Sequence, residues 1–146
     1  MNEVKLDTKK LQELKKMLKA TTIKVGVPEG AGGYDDGSTI AEVAFYNEFG
    51  TARIPERSFI RSTFNEQRDT FIKFMGSEAA KSLEGKQSIN TTIQRVGIKA
   101  QSEILKKFRD NDWTPNAPYT VAKKGSSTPL IDSGSLRQSI TWEVKK

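Results

Sequence analysis

Apolar positions along the chain recur first at helical and then at strand spacing. Leu11, Leu14 and Leu18 are separated by three and four residues within a lysine-rich stretch, which predicts a basic helix in residues 1–21. Residues 22–27 alternate and are rich in β-branched side chains, which is typical of a short strand. The start of the chain is therefore predicted as a helix followed by a strand.

The stretch after this strand lacks any apolar period. Residues 28–38 contain four glycines, which predicts a flexible loop, but their spacing matches neither G-x-G-x-x-G nor G-x-x-x-x-G-K-[ST], two phosphate-binding patterns. The adjacent acids Asp35 and Asp36 do not have the alternate spacing of a calcium loop. Two interpretations stay open: a mobile surface loop, or an arm that reaches a neighbouring subunit with Tyr34 as its anchor.

Three further helices are predicted in the middle of the chain. The first, residues 39–49, begins with a capping-box spacing and ends at a glycine. The second, residues 57–80, carries an aromatic stripe that is interpreted as core rather than as a ligand pocket. The third, residues 89–108, repeats apolar side chains at intervals of three and four. The last two are expected to pack as a long antiparallel pair, with a break indicated by Gly76 and residues 83–88.

The last part of the chain begins with a polar stretch rich in proline. Residues 110–129 are predicted as an extended link that Trp113 and Tyr119 attach to the body, and at least one further strand is expected within residues 119–131. Residues 130–138 predict a short helix, and residues 139–144 alternate as a closing strand. Few strands among many helices predict a single α+β domain over the whole chain, with a small antiparallel sheet flanked by helices.

Composition limits the chemistry that this domain can perform. The 146 residues include no histidine and no cysteine, which excludes the usual catalytic triads, thiolate nucleophiles, disulfides and Cys/His zinc sites. The candidate acids Glu42, Glu48, Glu56 and Asp132 lie by pattern on caps or solvated helix faces. The sequence therefore predicts no enzyme, no catalytic residue, no cofactor and no metal site.

Charge is unevenly distributed along the chain. Residues 1–27 carry a net charge of +4, residues 28–84 carry −4, and residues 85–146 carry +6. Segments of opposite sign suit head-to-tail contacts between identical subunits, whereas basic ends suit nucleic acid; the contact between copies is the preferred interpretation. No apolar run is long enough to cross a membrane and no secretory signal opens the chain, so a soluble cytosolic protein without membrane contact is expected.

Arginines cluster where the second of the three middle helices begins. Arg53, Arg57 and Arg61 surround a predicted turn, and the planar guanidinium group suits carboxylates and phosphates. The trio is a candidate docking patch. The alternative is that Glu48 and Glu56 neutralise these arginines locally.

A family resemblance is carried by A-E-V-A-x-x-N-E-F-G-T-x-x-I-P-E-R-x-F-I-R in residues 41–61. This stretch resembles the signature of tailed-bacteriophage tail-completion proteins, also described as neck, head-to-tail joining or virion morphogenesis proteins. W-x-P at Trp113, T-x-x-x-K from Thr120 and P-L-I-x-[ST]-G-x-L-x-x-S-I from Pro129 follow in the family's order. Ser58 departs from the pattern, where proline is expected. The motif residues expected to determine the fold are Asn47, Glu48, Phe49, Gly50, Thr51, Pro55, Phe59, Trp113, Leu130, Ile131, Gly134, Leu136, Ser139 and Ile140.

The resemblance implies a structural protein without catalytic residues that completes the tail or joins head to tail at the neck. Its implied partners are copies of itself in a ring, with a hexamer as one candidate size, other neck and tail proteins, and DNA passing through the ring. The implied location is the virion, after synthesis in the cytoplasm of the host bacterium. A basic nucleic-acid-binding module is the alternative, because the pI is about 9.5. The candidate partner contacts are Tyr34, Asp35, Asp36, Arg53, Arg57 and Arg61.

Overall fold

Helices make up most of the structure. The computed structural model describes residues 7–109, 113–125, 130 and 134–145, and within them seven helices flank one two-stranded antiparallel sheet. The predicted α+β class is confirmed. The elements are α1 (Thr8–Ala20), β1 (Thr22–Gly26), α2 (Ile40–Phe49), α3 (Phe59–Glu66), α4 (Arg68–Leu83), α5 (Ile89–Lys107), α6 (Pro118–Lys124), α7 (Ser135–Gln138) and β2 (Thr141–Lys145).

The sheet joins β1 to β2 and lies against α5. Ile23 pairs with Val144 and Val25 with Trp142 in antiparallel register. The Trp142 ring packs so closely on α5 that a Cβ atom built at Gly97 would lie 2.4 Å from it. This distance is far below van der Waals contact, so the packing of β2 on α5 requires glycine at position 97.

The helix predicted over residues 57–80 is in fact two helices. Gln67, with φ −99° and ψ 12°, separates α3 from α4, although its N–H still donates to the Thr63 carbonyl oxygen. Gly76 does not break the chain as expected and lies inside α4. A single mid-helix glycine costs only about 1 kcal/mol, which the packing of α4 along α5 can offset. The predicted antiparallel pair is therefore α4 with α5, joined by a short turn.

The main core lies where α2, α3, α7 and the C-terminal end of α5 meet. Phe59 and Phe108 are fully buried, with ring centroids 5.1 Å apart. The stripe predicted within residues 57–80 includes Phe64, Phe71 and Met75. Phe64 stacks on buried Phe71, but Met75 is exposed, so this stripe is only partly core. Four of the motif residues, Phe59, Leu130, Leu136 and Ile140, are buried here and share one cluster with Ile40, Ala44, Ile104 and Phe108.

The link predicted over residues 110–129 contains a helix. Pro118 occupies the first turn of α6, where its missing N–H costs nothing, and Gly125 ends the helix with a left-handed φ of 67°. The strand expected after Tyr119 is not found in the described part of this region, because residues 118–124 are helical instead.

The two aromatic residues expected to attach this link behave differently. Trp113 packs against the main core and donates from Nε1 to the Lys107 carbonyl oxygen at 3.1 Å, as predicted. Tyr119 is 79% exposed, so the prediction that it attaches the link is wrong. Its position on the outer side of α6 leaves the ring in solvent.

Candidate functional site

The start of α3 is capped by a side chain of α2. Ser58, the residue before α3, makes no capping hydrogen bond through its side chain. Glu48 is only 5% exposed, and its carboxylate accepts hydrogen bonds from the N–H groups of Ile60 and Arg61 at 2.8 Å each. A helix leaves its first N–H groups unpaired, and their positive end attracts a carboxylate. Glu48 therefore fixes the start of α3 to the end of α2.

Arg57 lies inside the protein and joins α2 to the segment after α5. Its guanidinium group donates to Asn47 Oδ1 and Asn116 Oδ1 at 3.1 Å each, to the Thr114 carbonyl oxygen at 2.9 Å and to the Pro115 carbonyl oxygen at 3.3 Å. Burial lowers the pKa of Arg57, because desolvation disfavours the charged form. Arg57 is 5% exposed, so the prediction that it contacts a partner is corrected: its donors are used within the chain.

A tight turn connects α2 to this arginine. Gly50 has a φ of +72°, and a Cβ atom there would lie 3.0 Å from the backbone nitrogen of Glu56. Thr51 Oγ1 accepts from the N–H groups two and three residues later, at 3.2 and 2.9 Å. Pro55 is exposed and continues the turn towards α3. The glycine and threonine of the motif therefore set the turn geometry.

Arg61 is neutralised by groups of its own chain. Its Nε lies 3.1 Å from Glu48 Oε1, and its Nη2 donates to the Glu48 carbonyl oxygen at 2.6 Å and to Glu56 Oε1 at 2.9 Å. The guanidinium carbon also lies 4.5 Å from the ring centroid of Phe49, a cation–π geometry. Of the two alternatives, local neutralisation therefore applies to Arg61, whose charge is paired with Glu48 and Glu56. Arg53 is exposed in the turn.

An aromatic face, consisting of Phe45, Tyr46 and Phe49, covers the outer side of α2. These side chains are 58%, 39% and 50% exposed, and the Phe45 ring centroid lies 4.8 Å from that of Phe49 and 6.3 Å from that of Tyr46. The other side of α2 buries Ile40 and Ala44 in the core. A helix that is apolar on both sides is typical of a buried element, and adjacent exposed rings mark an interaction surface.

The aromatic face is not among the features predicted from the sequence, although the sequence contains a signal for it. Residues 40–49 are apolar around most of the helix circumference, and this pattern distinguishes α2 from an ordinary surface helix. Phe49 was predicted only as a fold-determining motif residue, yet half of its side chain is exposed. The sequence alone does not show which side of such a helix the rest of the chain covers.

The loop between β1 and α2 folds back on the body. Tyr34 is partly buried against the main core, and its N–H donates to the Ser38 carbonyl oxygen at 2.8 Å. Tyr34 is therefore not presented outwards as the anchor of an arm. Asp36 accepts from Ser38 Oγ at 2.6 Å; the hydrogen bonds from Ser38 lower the pKa of Asp36, with a smaller contribution from Lys123. Asp35 and Asp36 are both exposed.

The C-terminal motif block holds α7 against α2. Leu130 is buried with a φ of 64°, which is uncommon for a residue other than glycine, and Gly134 precedes α7 with a φ of 81°. Ser139 Oγ donates to the Ser135 carbonyl oxygen at 2.8 Å and closes the short helix. Ile131 lies outside the described residues. The described motif residues of this block thus determine local structure.

Glu78 of α4, close to the turn between α4 and α5, is a buried acid that is also not among the features predicted from the sequence. Glu78 is 2% exposed, and its carboxylate bonds to Lys81 Nζ, to Gln87 Nε2 at 2.8 Å and to Arg95 Nη1 at 3.4 Å. The hydrogen bonds from Lys81 and Gln87, with the attraction of both cations, hold the pKa of Glu78 below its usual value. All three partners stabilise the ionised form, so this cluster is an ion-pair network and not an acid/base pair.

Within residues 7–109 and the shorter described ranges after them, no group of three or more His, Cys, Asp or Glu side chains could hold a metal ion. In the same part of the chain, none of the helices has the length and apolar character needed to cross a membrane. Comparison of the chain with protein-family models, with curated proteins and with solved structures finds no match.

Proposed function

We propose that this chain is a structural protein of a tailed bacteriophage that completes the tail or joins head to tail at the neck. It associates with copies of itself in a ring, docks on neighbouring neck and tail proteins, and resides in the virion. The proposal starts from the resemblance of residues 41–61, and of the later W-x-P and P-L-I blocks, to the tail-completion family.

The observation that carries this proposal is the aromatic face. Glu48, Arg57 and Gly50 fix the position of α2 relative to α3, so the exposed rings of Phe45 and Phe49 are held on a rigid support. A rigid surface loses little conformational entropy when it docks, and exposed aromatic side chains are enriched at protein interfaces. Most of the motif residues thus build the support, and the motif residue Phe49 supplies the contact together with its neighbours Phe45 and Tyr46.

Immunogold electron microscopy tests the proposed location. Particles released from the infected or induced host are labelled with antibody against this chain, with pre-immune serum as the control. Label at the head-to-tail junction is the expected result. Absence of label from particles, with the protein free in the lysate, would contradict the proposal.

The same assay can test the aromatic face. A Phe45→Ser/Phe49→Ser variant supplied in place of the native chain should lose the neck label. The matched control is Ile72→Ser/Ile98→Ser, which removes two similarly exposed apolar side chains from α4 and α5. Equal loss of label in both variants would show that exposed apolar area in general, and not this face, matters.

A basic nucleic-acid-binding module is the second candidate, and a feature of α1 favours it. Lys9, Lys10, Lys15, Lys16 and Lys19 are all exposed on this helix. Phosphate contacts of this kind make affinity fall by orders of magnitude between low and moderate salt. Titration of duplex DNA at both salt concentrations tests it, and absence of binding at low salt would reject it.

A further inference from the structure

Two helices of different character, α2 and α1, lie near opposite ends of α5, whose 19 residues span about 28 Å. At the C-terminal end of this helix, Phe108 packs with Ile40 of α2 in the main core. At the N-terminal end, Ile89 and Leu14 of α1 line the same cleft of about 230 Å³. The buried side of α2 and Leu14 of α1 therefore lie at opposite ends of α5.

An acidic stretch of the chain leads into α2, whose C-terminal end has the Arg61 guanidinium group over the Phe49 ring. Residues 28–42, called here the acidic segment, contain four carboxylates and no lysine or arginine. All four are exposed, and the segment runs directly into α2. The acidic residues are Glu29, Asp35, Asp36 and Glu42.

The surface of α1 carries a charge opposite to that of the acidic segment. Five lysines and one glutamate give α1 a strongly positive charge, and all five lysines are exposed. Leu14 is buried on the body, but Leu18 is 49% exposed and adds an apolar contact beside the lysines. Lysine ammonium groups bind both carboxylates and the faces of aromatic rings.

We infer that α1 of one copy docks on the aromatic face and acidic segment of the next copy. This inference rests on the proposed function, and it names the contact by which the copies associate. Because the two surfaces differ, the contact is heterologous and repeats head to tail, which closes into a ring when the rotation between copies allows it.

A symmetric contact between two aromatic faces fits the charges less well. It would place the acidic N-terminal turns of two α2 helices, each with its Glu42, in one interface, and like charges at an interface disfavour association. Docking of α1 instead pairs charges of opposite sign and covers Phe45 and Phe49 with the apolar side chain of Leu18. Charge complementarity thus selects a second copy's α1 as the occupant.

Two one-sided variants test this contact. Phe45→Ser/Phe49→Ser alters the aromatic face, and Lys16→Glu/Lys19→Glu alters α1. Each variant alone should raise the protein concentration needed for assembly by roughly 30-fold or more, as expected for the loss of interface hot spots. Arg68→Glu/Lys73→Glu, which makes the same charge change on exposed residues of α4, should assemble like the wild type.

Mixing the two variants gives the decisive measurement. One intact pair of surfaces remains in the mixture: α1 of the face variant and the aromatic face of the α1 variant. Native mass spectrometry with one variant isotope-labelled should therefore show a 1:1 heterodimer and no larger species. If a variant does not give the wild-type melting curve, Tyr46→Ser and Lys16→Gln/Lys19→Gln replace it.

Several outcomes would overturn the inference. They are a mixture that stays monomeric, an α1 variant that assembles like the wild type, and a wild-type chain that is monomeric throughout. Loss of DNA binding in the α1 variant, without heterodimer formation in the mixture, would instead assign these lysines to nucleic acid. Neck labelling in the immunogold assay together with failed mixing would reject this contact alone, whereas absent neck labelling would reject the proposed function.

Discussion

Glu48 and Glu78 are both buried glutamates, and they lie at opposite ends of α5. The Glu48 carboxylate is held mainly by backbone N–H groups at the start of α3. Glu78 is held by the side chains of Lys81, Gln87 and Arg95, and both of its cationic partners reach in from partly exposed positions. Backbone donors are fixed by the helix, whereas long side chains must lose rotamer freedom to bind. Glu48 therefore joins α2 to α3 through fixed backbone donors, whereas Glu78 joins α4 to the turn and to α5 through side chains that must be ordered.

The two ends of the molecule differ in a related way. The end of the molecule that carries the aromatic face is built from buried groups on α2, α3, α7 and the segment after α5, which meet in one core. The end that carries α1 has a cleft between α1 and the α4–α5 turn instead. Substitutions at the first end should therefore cost more stability than similar substitutions at the second.

The largest effect is expected for Leu136→Ala. Leu136 is buried in the main core, so truncation leaves a cavity and should lower the free energy of unfolding by about 2–5 kcal/mol. Leu18→Ala is the matched control on exposed α1 and should change it by about 0.5 kcal/mol or less. Urea unfolding measures both. Equal effects would contradict the burial of Leu136 in the main core.

Glu48→Ala should have the next largest effect. It leaves two N–H groups of α3 without their acceptor and should cost about 1–3 kcal/mol. Glu56→Ala removes only the exposed ion pair with Arg61 and should cost less than about 1 kcal/mol. Glu78→Ala should lower the melting temperature less than Glu48→Ala does. A larger loss for Glu78→Ala would reverse the proposed order.

Acid should weaken the end that contains Glu78. The folded state holds the pKa of Glu78 below the usual 4.5, so its stabilisation is present above that value and is lost as the pH falls through the lowered pKa. Glu78→Gln keeps the side-chain volume but cannot titrate. Its melting temperature should fall less steeply below pH 4.5 than that of the wild type. Parallel pH profiles for the two proteins would contradict this assignment.

Ser58→Pro should have the smallest effect, and it should be stabilising. Ser58 has a φ of −74°, which suits the proline ring, and its side chain does not cap α3. Proline restricts the unfolded chain, so the free energy of unfolding should rise by about 0.4–1 kcal/mol. Ser58→Ala separates this effect from simple loss of the hydroxyl group. A destabilised proline variant would show that the backbone at the start of α3 cannot accept the ring.

Elements with local signals could be predicted from the sequence. The leucine spacing of α1, the alternation of β1, the capping box of α2 and the apolar repeat of α5 each depend on residues close together in the chain. The break between α3 and α4 at Gln67 and the helix that begins at Pro118 have weaker local signals in the sequence. Their positions depend on packing and turn geometry. The predicted fold class was confirmed because it required only the number and order of the elements.

The candidate site was harder to predict, because its geometry depends on distant residues. Arg57 is buried by acceptors in residues 114–116, which no local pattern connects to it. The pattern places Glu48 on a cap or a solvated face, and the family motif places it among the fold-determining residues, but neither shows that it caps α3 across the turn. Hydrophobic periodicity identifies which side chains are apolar, but burial of a charged group requires knowledge of what packs over it.

The close packing of Trp142 on Gly97 gives the molecule an optical reporter. The chain has two tryptophans: Trp142 lies between the sheet and the middle of α5, and Trp113 lies against the core beneath α2. Removing one indole by substitution with phenylalanine leaves emission from the other alone. Fluorescence of the two single-tryptophan proteins would therefore follow the unfolding of the sheet and of the core beneath α2 separately.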